Sequence, residues 1–206
     1  EENGQALLEQ LANPEVPEWQ IKQEKRDRKR KKEKQKSWAE HRANFLKHID
    51  DLRGGRYSEV VNPAKAYLNL YSDMGNDVPA HERIEQWLGS ELQDAAFKGF
   101  EAYLSNEGST PTAREIAESY ALSKRWDAAY IFVAAAAERV RNNKPLDDLS
   151  DERLLAILLE IRLTHILDHA KIDRVSEVIE QEVKNRPGLW EAFWRLRIEP
   201  QLKAQN

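Results

Sequence analysis

The stretch from Asp151 to Ala170, DERLLAILLEIRLTHILDHA, has leucine or isoleucine at 154, 155, 157, 158, 159, 161, 163, 166 and 167. At 3.6 residues per turn these positions go nearly all round a helix, which must then be covered on more than one side. Ser150, followed by Asp151 and Glu152, supplies the start of that helix, and its pattern runs to about Ala170. The alanines at 134–137 let a neighbouring helix approach closely. Together the two segments mark the centre of the C-terminal half.

Helix signals recur along the rest of the chain. Pro17 can occupy a first helical position, from which a helix can run to Leu52 and stop at Gly54 and Gly55. In its second half, Trp38, His41, Phe45, Ile49 and Leu52 recur at steps of three and four residues, a stripe that should face a core. Residues 62–71 open on an Asn cap and a Pro start, and 78–88 begin similarly and stop at Gly89. Ser90 with Gln93 reads as a capping box, and Thr110-Pro111 opens the next segment. Further helices are expected over 125–141, 173–183 and 187–198, with a short amphipathic piece at 5–12.

No stretch alternates like a strand. The fold class is therefore all-α, with roughly nine or ten helices. Short links force neighbours antiparallel, which predicts an irregular, repeat-like array of helical hairpins. The segments GRYSEVV (55–61), KRWDAAY (124–130) and AKIDRVS (170–176) echo one another where helices should begin, at spacings too uneven for a regular repeat. The expected parts are a short helix and linker (1–16), a charged helical strut (17–37), and two helical units (38–110 and 111–206).

Composition narrows the chemistry. The chain has no cysteine, which excludes disulfides and thiolate zinc sites. No apolar run approaches a membrane span and no signal peptide is visible, so a cytoplasmic protein without membrane contact is expected. The first residue is Glu1, not Met, which points to a fragment or processed product. Phosphate chemistry is not expected, because no Gly-rich loop leads into Lys-Ser/Thr and the glycines read as helix ends. No Ser or Thr sits at a strand-to-helix elbow.

Two histidine pairs invite a metal reading. His165 and His169 are four apart, but HILDH places Ile166 where a zinc protease carries its glutamate, and no third ligand follows. His165 continues the Leu154–Leu158–Ile161 face, so a packed histidine is expected there. His41 and His48 lie seven apart on the Trp38–Leu52 stripe and invite the same reading. SDMGND (72–77) resembles a calcium loop, yet the twelfth position counted from Asp73 is Ile84, so a turn is expected. The expectation is no catalytic, cofactor or metal site, and no enzyme. Trp126, Trp190, Phe193 and Trp194 read as core or interface filling, and with Trp19 the three tryptophans are the candidate interface aromatics.

The remaining candidate is EKRDRKRKKEKQKSW (24–38). Residues 22–36 carry ten Lys and Arg against Glu24, Asp27 and Glu33, a net charge of +7 in a chain whose total is −4. The basic residues at stake are Lys25, Arg26, Arg28, Lys29, Arg30, Lys31, Lys32, Lys34 and Lys36. At i,i+4 spacing, 18/22, 24/28, 27/31 and 29/33 attract, whereas 22/26, 25/29, 26/30, 28/32, 30/34 and 32/36 repel. The run gains from negative charge supplied from elsewhere. With Trp19 and Trp38 as apolar anchors about 28 Å apart, a solvated strut between parts of a larger protein is the leading expectation. A nucleic-acid-binding arm is the alternative, and the acidic pI near 5.8 counts against it. KRKK (29–32) also matches a nuclear-import signal.

The Pro17-Glu18-Trp19 start, the charged helix, and the stripe ending in LRGGRY (52–57) precede AYLNLYSD (66–73), ERIEQWLGSEL (82–92) and AAFKGFEAYL (95–104). In this order they resemble the helical region of large bacterial NACHT/STAND-type NTPases, over roughly residues 17–105. The resemblance implies a section of a sensor array in a multidomain protein with a P-loop motor, often in anti-phage defence. This chain has no P-loop, so no nucleotide-handling residue carries over. The expected function is a non-catalytic interaction scaffold without cofactor, which senses a ligand or relays its binding. Its partners would be other domains of a larger chain or a protein ligand.

Overall fold

The computed structural model describes residues 17–71, 77–106, 108 and 111–204, and every regular element among them is an α-helix. The expected piece at 5–12, the turn over 72–76 and Thr110 lie outside the described residues. The chain divides into two compact units, Glu1–His41 and Arg42–Asn206. Helix α1 (Glu18–Lys47) supplies all the described helix of the first unit and enters the second with its last residues.

In the second unit the helices are α2 (Ile49–Arg53), α3 (Tyr57–Tyr67), α4 (Ala80–Leu88), α5 (Ser90–Ser105), α6 (Ala113–Ala121) and α7 (Asp127–Arg141). They are followed by α8 (Asp151–Thr164), α9 (Ile166–Ala170), α10 (Val175–Asn185) and α11 (Leu189–Ala204). The three echoed segments each open a helix, at Tyr57, Asp127 and Val175.

The centre is where the apolar segments predict it. Every residue of α7 from Ala128 to Arg139 is buried, as is every residue of α8 from Arg153 to Ile161. The two helices pack on each other; α3 and α5 cover α7, while α6, α10 and α11 cover α8. Ser150 caps α8 as expected, its hydroxyl accepting from the Arg153 amide at 3.3 Å.

Several boundaries differ from the sequence reading. The helix from Pro17 does not reach Leu52: the backbone at His48 leaves helical geometry (φ −118°, ψ 25°), and α2 follows as a separate turn. Asn62-Pro63 does not start a helix. Gly55, at φ 75°, closes the preceding turn and lets α3 begin at Tyr57, so Pro63 falls inside it. Ser90 is the first residue of α5 and makes no cap; Gly89, at φ 90°, joins α4 to α5 directly, and Gln93 turns to the His81 carbonyl. The capping box forms instead at Thr112 and Glu115, two residues after the expected start of α6. The helix expected to reach Ala170 breaks at His165, which adopts the left-handed conformation (φ 52°).

The glycines do not all sit at helix ends. Gly99 is buried in the middle of α5, which packs on α2. A β-carbon there would lie 2.0 Å from the Leu52 carbonyl oxygen and 2.7 Å from Val60 Cγ1. Arginines then tie helix ends and loops to this frame. Arg153 donates to the Asn106 carbonyl at 2.9 Å with its guanidinium over the Phe132 ring. Arg139 bridges Glu101 and Asp148, and Arg186 donates to the carbonyls of Leu146 and Leu149 and to Asp151.

Candidate interaction surfaces

Residues 22–36 are helical throughout and exposed, apart from half-buried Lys34, whose ammonium lies 4.4 Å from the centre of the Trp38 ring. Three of the four expected i,i+4 pairs form: Lys22 with Glu18 at 3.2 Å, Arg28 with Glu24 at 3.7 Å and Lys29 with Glu33 at 3.9 Å. The fourth does not, because Asp27 accepts from the Gln23 side chain instead of meeting Lys31. Lys36 reaches forward to Glu40 at 3.9 Å. Among the described residues, Lys25, Arg26, Arg30, Lys31 and Lys32 then have no carboxylate within ion-pair distance. Exposed pairs at these distances contribute little to stability. Helix propensity and solvation of the charges sustain this stretch.

The apolar stripe is only partly a core face. Phe45 is buried edge-on to Trp87 with ring centres 5.7 Å apart, and Leu52 is fully enclosed. Ile49 and Trp38 are half-buried, whereas His41 and His48 are exposed, so the packed-histidine reading fails at both. Trp19, expected as an apolar anchor, is 69% exposed.

At the other end of the chain, α11 is apolar on two faces. Leu189, Phe193 and Pro200 are buried, while Trp194 and Ile198 are 40% and 47% exposed on the opposite side, in line with exposed Leu202. The four-residue step from Trp190 through Trp194 and Ile198 to Leu202 keeps these side chains on one stripe. Trp190 stacks on Phe193 at 5.2 Å and meets Trp194 edge-on at 5.6 Å. Lys184 covers Trp190 and Arg197 covers Trp194, at 4.7 and 5.2 Å from the ring centres. Trp126 is not in this cluster; its indole N–H donates to Ser119 at 2.8 Å. Between α6 and α11 runs a groove of about 300 Å³, with Ala121, Leu122, Leu196 and Pro200 against Arg114, Glu118, Glu199 and Lys203. The sequence reading overlooked it, although Leu122 just past the end of α6 was a readable signal.

Among the described residues no group of three His, Asp or Glu side chains is placed to hold a metal. His165 is exposed at its helix break and does not continue the buried face. His169 hydrogen-bonds with the Asn69 carbonyl at 3.0 Å. No helix among the described residues is long and apolar enough to cross a membrane.

Compared with family models, curated proteins and solved structures, the chain matches none.

A buried carboxyl inside the core is also perturbed. Glu160 on α8 is only 3% exposed, and its Oε1 has no hydrogen-bond partner among the described residues. Burial pushes its pKa up to about 7, against the opposing pull of the Arg125 charge and the Thr164 hydroxyl. A carboxyl with that pKa is suited to proton transfer near neutrality, but this one is enclosed among core side chains. Two surface features stand out: a basic helix in one unit, and an apolar stripe and groove on α11 in the other.

Proposed function

We propose that this chain is a non-catalytic helical interaction module that takes a protein partner on the outer face of α11. The observation that supports this reading is the exposed pair Trp194 and Ile198, on a helix whose opposite face is already buried. A solvated helix needs one apolar stripe, and a second indicates further burial. Exposed tryptophan is a residue type enriched where binding energy concentrates. The adjoining groove between α6 and α11 extends the apolar surface, with charges of both signs beside it. In the setting that the NACHT/STAND resemblance implies, the partner is another domain of a larger regulatory NTPase, and the module relays ligand sensing, with anti-phage defence as a role.

A photoreactive residue at position 198, introduced in the chain expressed in its own host, tests this. The expected result is a discrete protein adduct that disappears when Trp194→Glu is added and does not form from exposed Lys98. Equal labelling from both positions would refute the docking surface. ATP turnover by the purified chain above a mock purification would refute the non-catalytic half.

A further inference from the structure

We propose that residues 22–36 of α1 form a docking helix for double-stranded DNA, seated along a groove through contacts with the phosphates on both walls and without reading base sequence. This goes beyond the protein-binding role of α11 and does not depend on it.

The geometry that carries it is the distribution of charge round the helix. At about 100° per residue, the ten Lys and Arg positions of this stretch leave no sector wider than about 60° without a cation. The five cations without a carboxylate partner are themselves spread round the axis: Lys25 and Lys32 on one side, Arg26 and Arg30 on another, Lys31 on a third. Such a helix has no apolar face with which to lie in a membrane surface, since Ile21 is the only large apolar residue between Trp19 and Trp38. Nor does it fit a flat acidic protein surface. That would neutralise one sector and leave the repulsive pairs on the others.

A groove lined by anions on both sides meets the helix from several directions at once. The B-form major groove is about 12 Å wide, and a helix with its side chains is about 10–12 Å across. The A-form RNA major groove is too narrow and deep to admit it. The length agrees as well: the 15-residue run extends about 22 Å. Over that span duplex DNA presents one charge per ~1.7 Å of axis. The acidic remainder of the chain then disfavours contacts beyond the helix, which limits the footprint to α1.

The test is fluorescence anisotropy of the full chain with a labelled duplex of about 20 base pairs, at salt from ~50 to ~200 mM. If the five unpaired cations each displace one counterion, affinity falls about 500-fold over that range. Replacing Lys25, Arg26, Arg30, Lys31 and Lys32 by Gln should abolish binding and keep the helical circular dichroism. Removing the same charge elsewhere, with Arg53, Arg56, Lys98, Lys124 and Lys144 changed to Gln, should leave binding in place. Absence of binding at the lowest salt would overturn the proposal, as would equal loss in both variants. Displacement of the duplex by polyglutamate as readily as by unlabelled DNA would assign the helix to an acidic protein surface instead.

Discussion

Arg83 and Ala170 stand 87 positions apart, and the guanidinium of one donates to the carbonyl of the other at 2.9 Å. The same buried group donates to the Tyr67 carbonyl at 2.6 Å and to the Val78 carbonyl at 3.0 Å. Tyr67 ends α3 and Ala170 ends α9, so one cation satisfies the negative ends of two helices. Burial lowers the Arg83 pKa from its ordinary value, but the three carbonyls give the charge the partners it needs. Arg83→Met should destabilise the second unit by ~3 kcal/mol, because it orphans two buried acceptors, at Tyr67 and Ala170, at about 1–3 kcal/mol each, and a part-buried one at Val78. Arg83→Lys should recover only part of that loss in urea melts, since one ammonium cannot reproduce the planar fork.

Gly99 makes a separate prediction. Helix propensity alone would favour Gly99→Ala by about 1 kcal/mol. The added β-carbon meets the Leu52 backbone 2.0 Å away, which cannot yield as a flexible side chain could. The clash should win, with a net loss of ~2–3 kcal/mol in denaturant melts. A neutral or stabilising effect would show that α2 and α5 separate easily.

Glu160 gives stability a pH dependence of definite sign. Its folded pKa, about 7, is above the ordinary value of 4.5, so the folded state holds a proton that the unfolded state has released in between. Stability contributed by this group is full below about pH 4.5 and falls as pH rises to about 7, by about 3 kcal/mol in all. Glu160→Gln removes the titration. The variant should gain on the wild type steadily over that window and run parallel to it above, in melts followed by circular dichroism. A constant difference at every pH would place the titration elsewhere.

Much of this fold was legible because the strongest signals were local. The apolar circuit of 151–163 and the alanines at 134–137 point to burial whatever surrounds them, and Ser150 caps its own helix. Boundaries set by distant partners were not legible. Asn62-Pro63 has the composition of a helix start, but the turn at Gly55 begins α3 earlier. Gly99 looks like punctuation until Leu52 is laid against it. His165 keeps apolar periodicity in the sequence, yet its own backbone turns left-handed and takes its side chain into solvent. For the surfaces, the basic run announced itself, whereas the outer stripe of α11 was legible only in part: Trp190 and Trp194 stood among the candidate interface aromatics, but Ile198 and the face they share did not. Trp194 and Ile198 carry the same apolar signature as core residues, and only the neighbours show which face is covered.

The two halves of α1 should respond differently to mutation, despite forming one helix. Phe45 is buried and makes an edge-on contact with Trp87, so Phe45→Ala removes both transfer energy and an aromatic pair. The expected loss is ~3–5 kcal/mol in denaturant melts, and a loss under ~1 kcal/mol would show that the site collapses around the vacancy. Changing Lys29, Arg30, Lys31 and Lys32 to Gln touches only exposed side chains, of which Lys29 alone holds a carboxylate among the described residues, at 3.9 Å. Glutamine keeps helix propensity, and relief of the repulsive i,i+4 pairs offsets the loss of that one contact. The thermal midpoint of the core should therefore stay within measurement error of the wild type. A clear drop would mean that the basic run supports the folded core, and is not simply a surface held out to solvent.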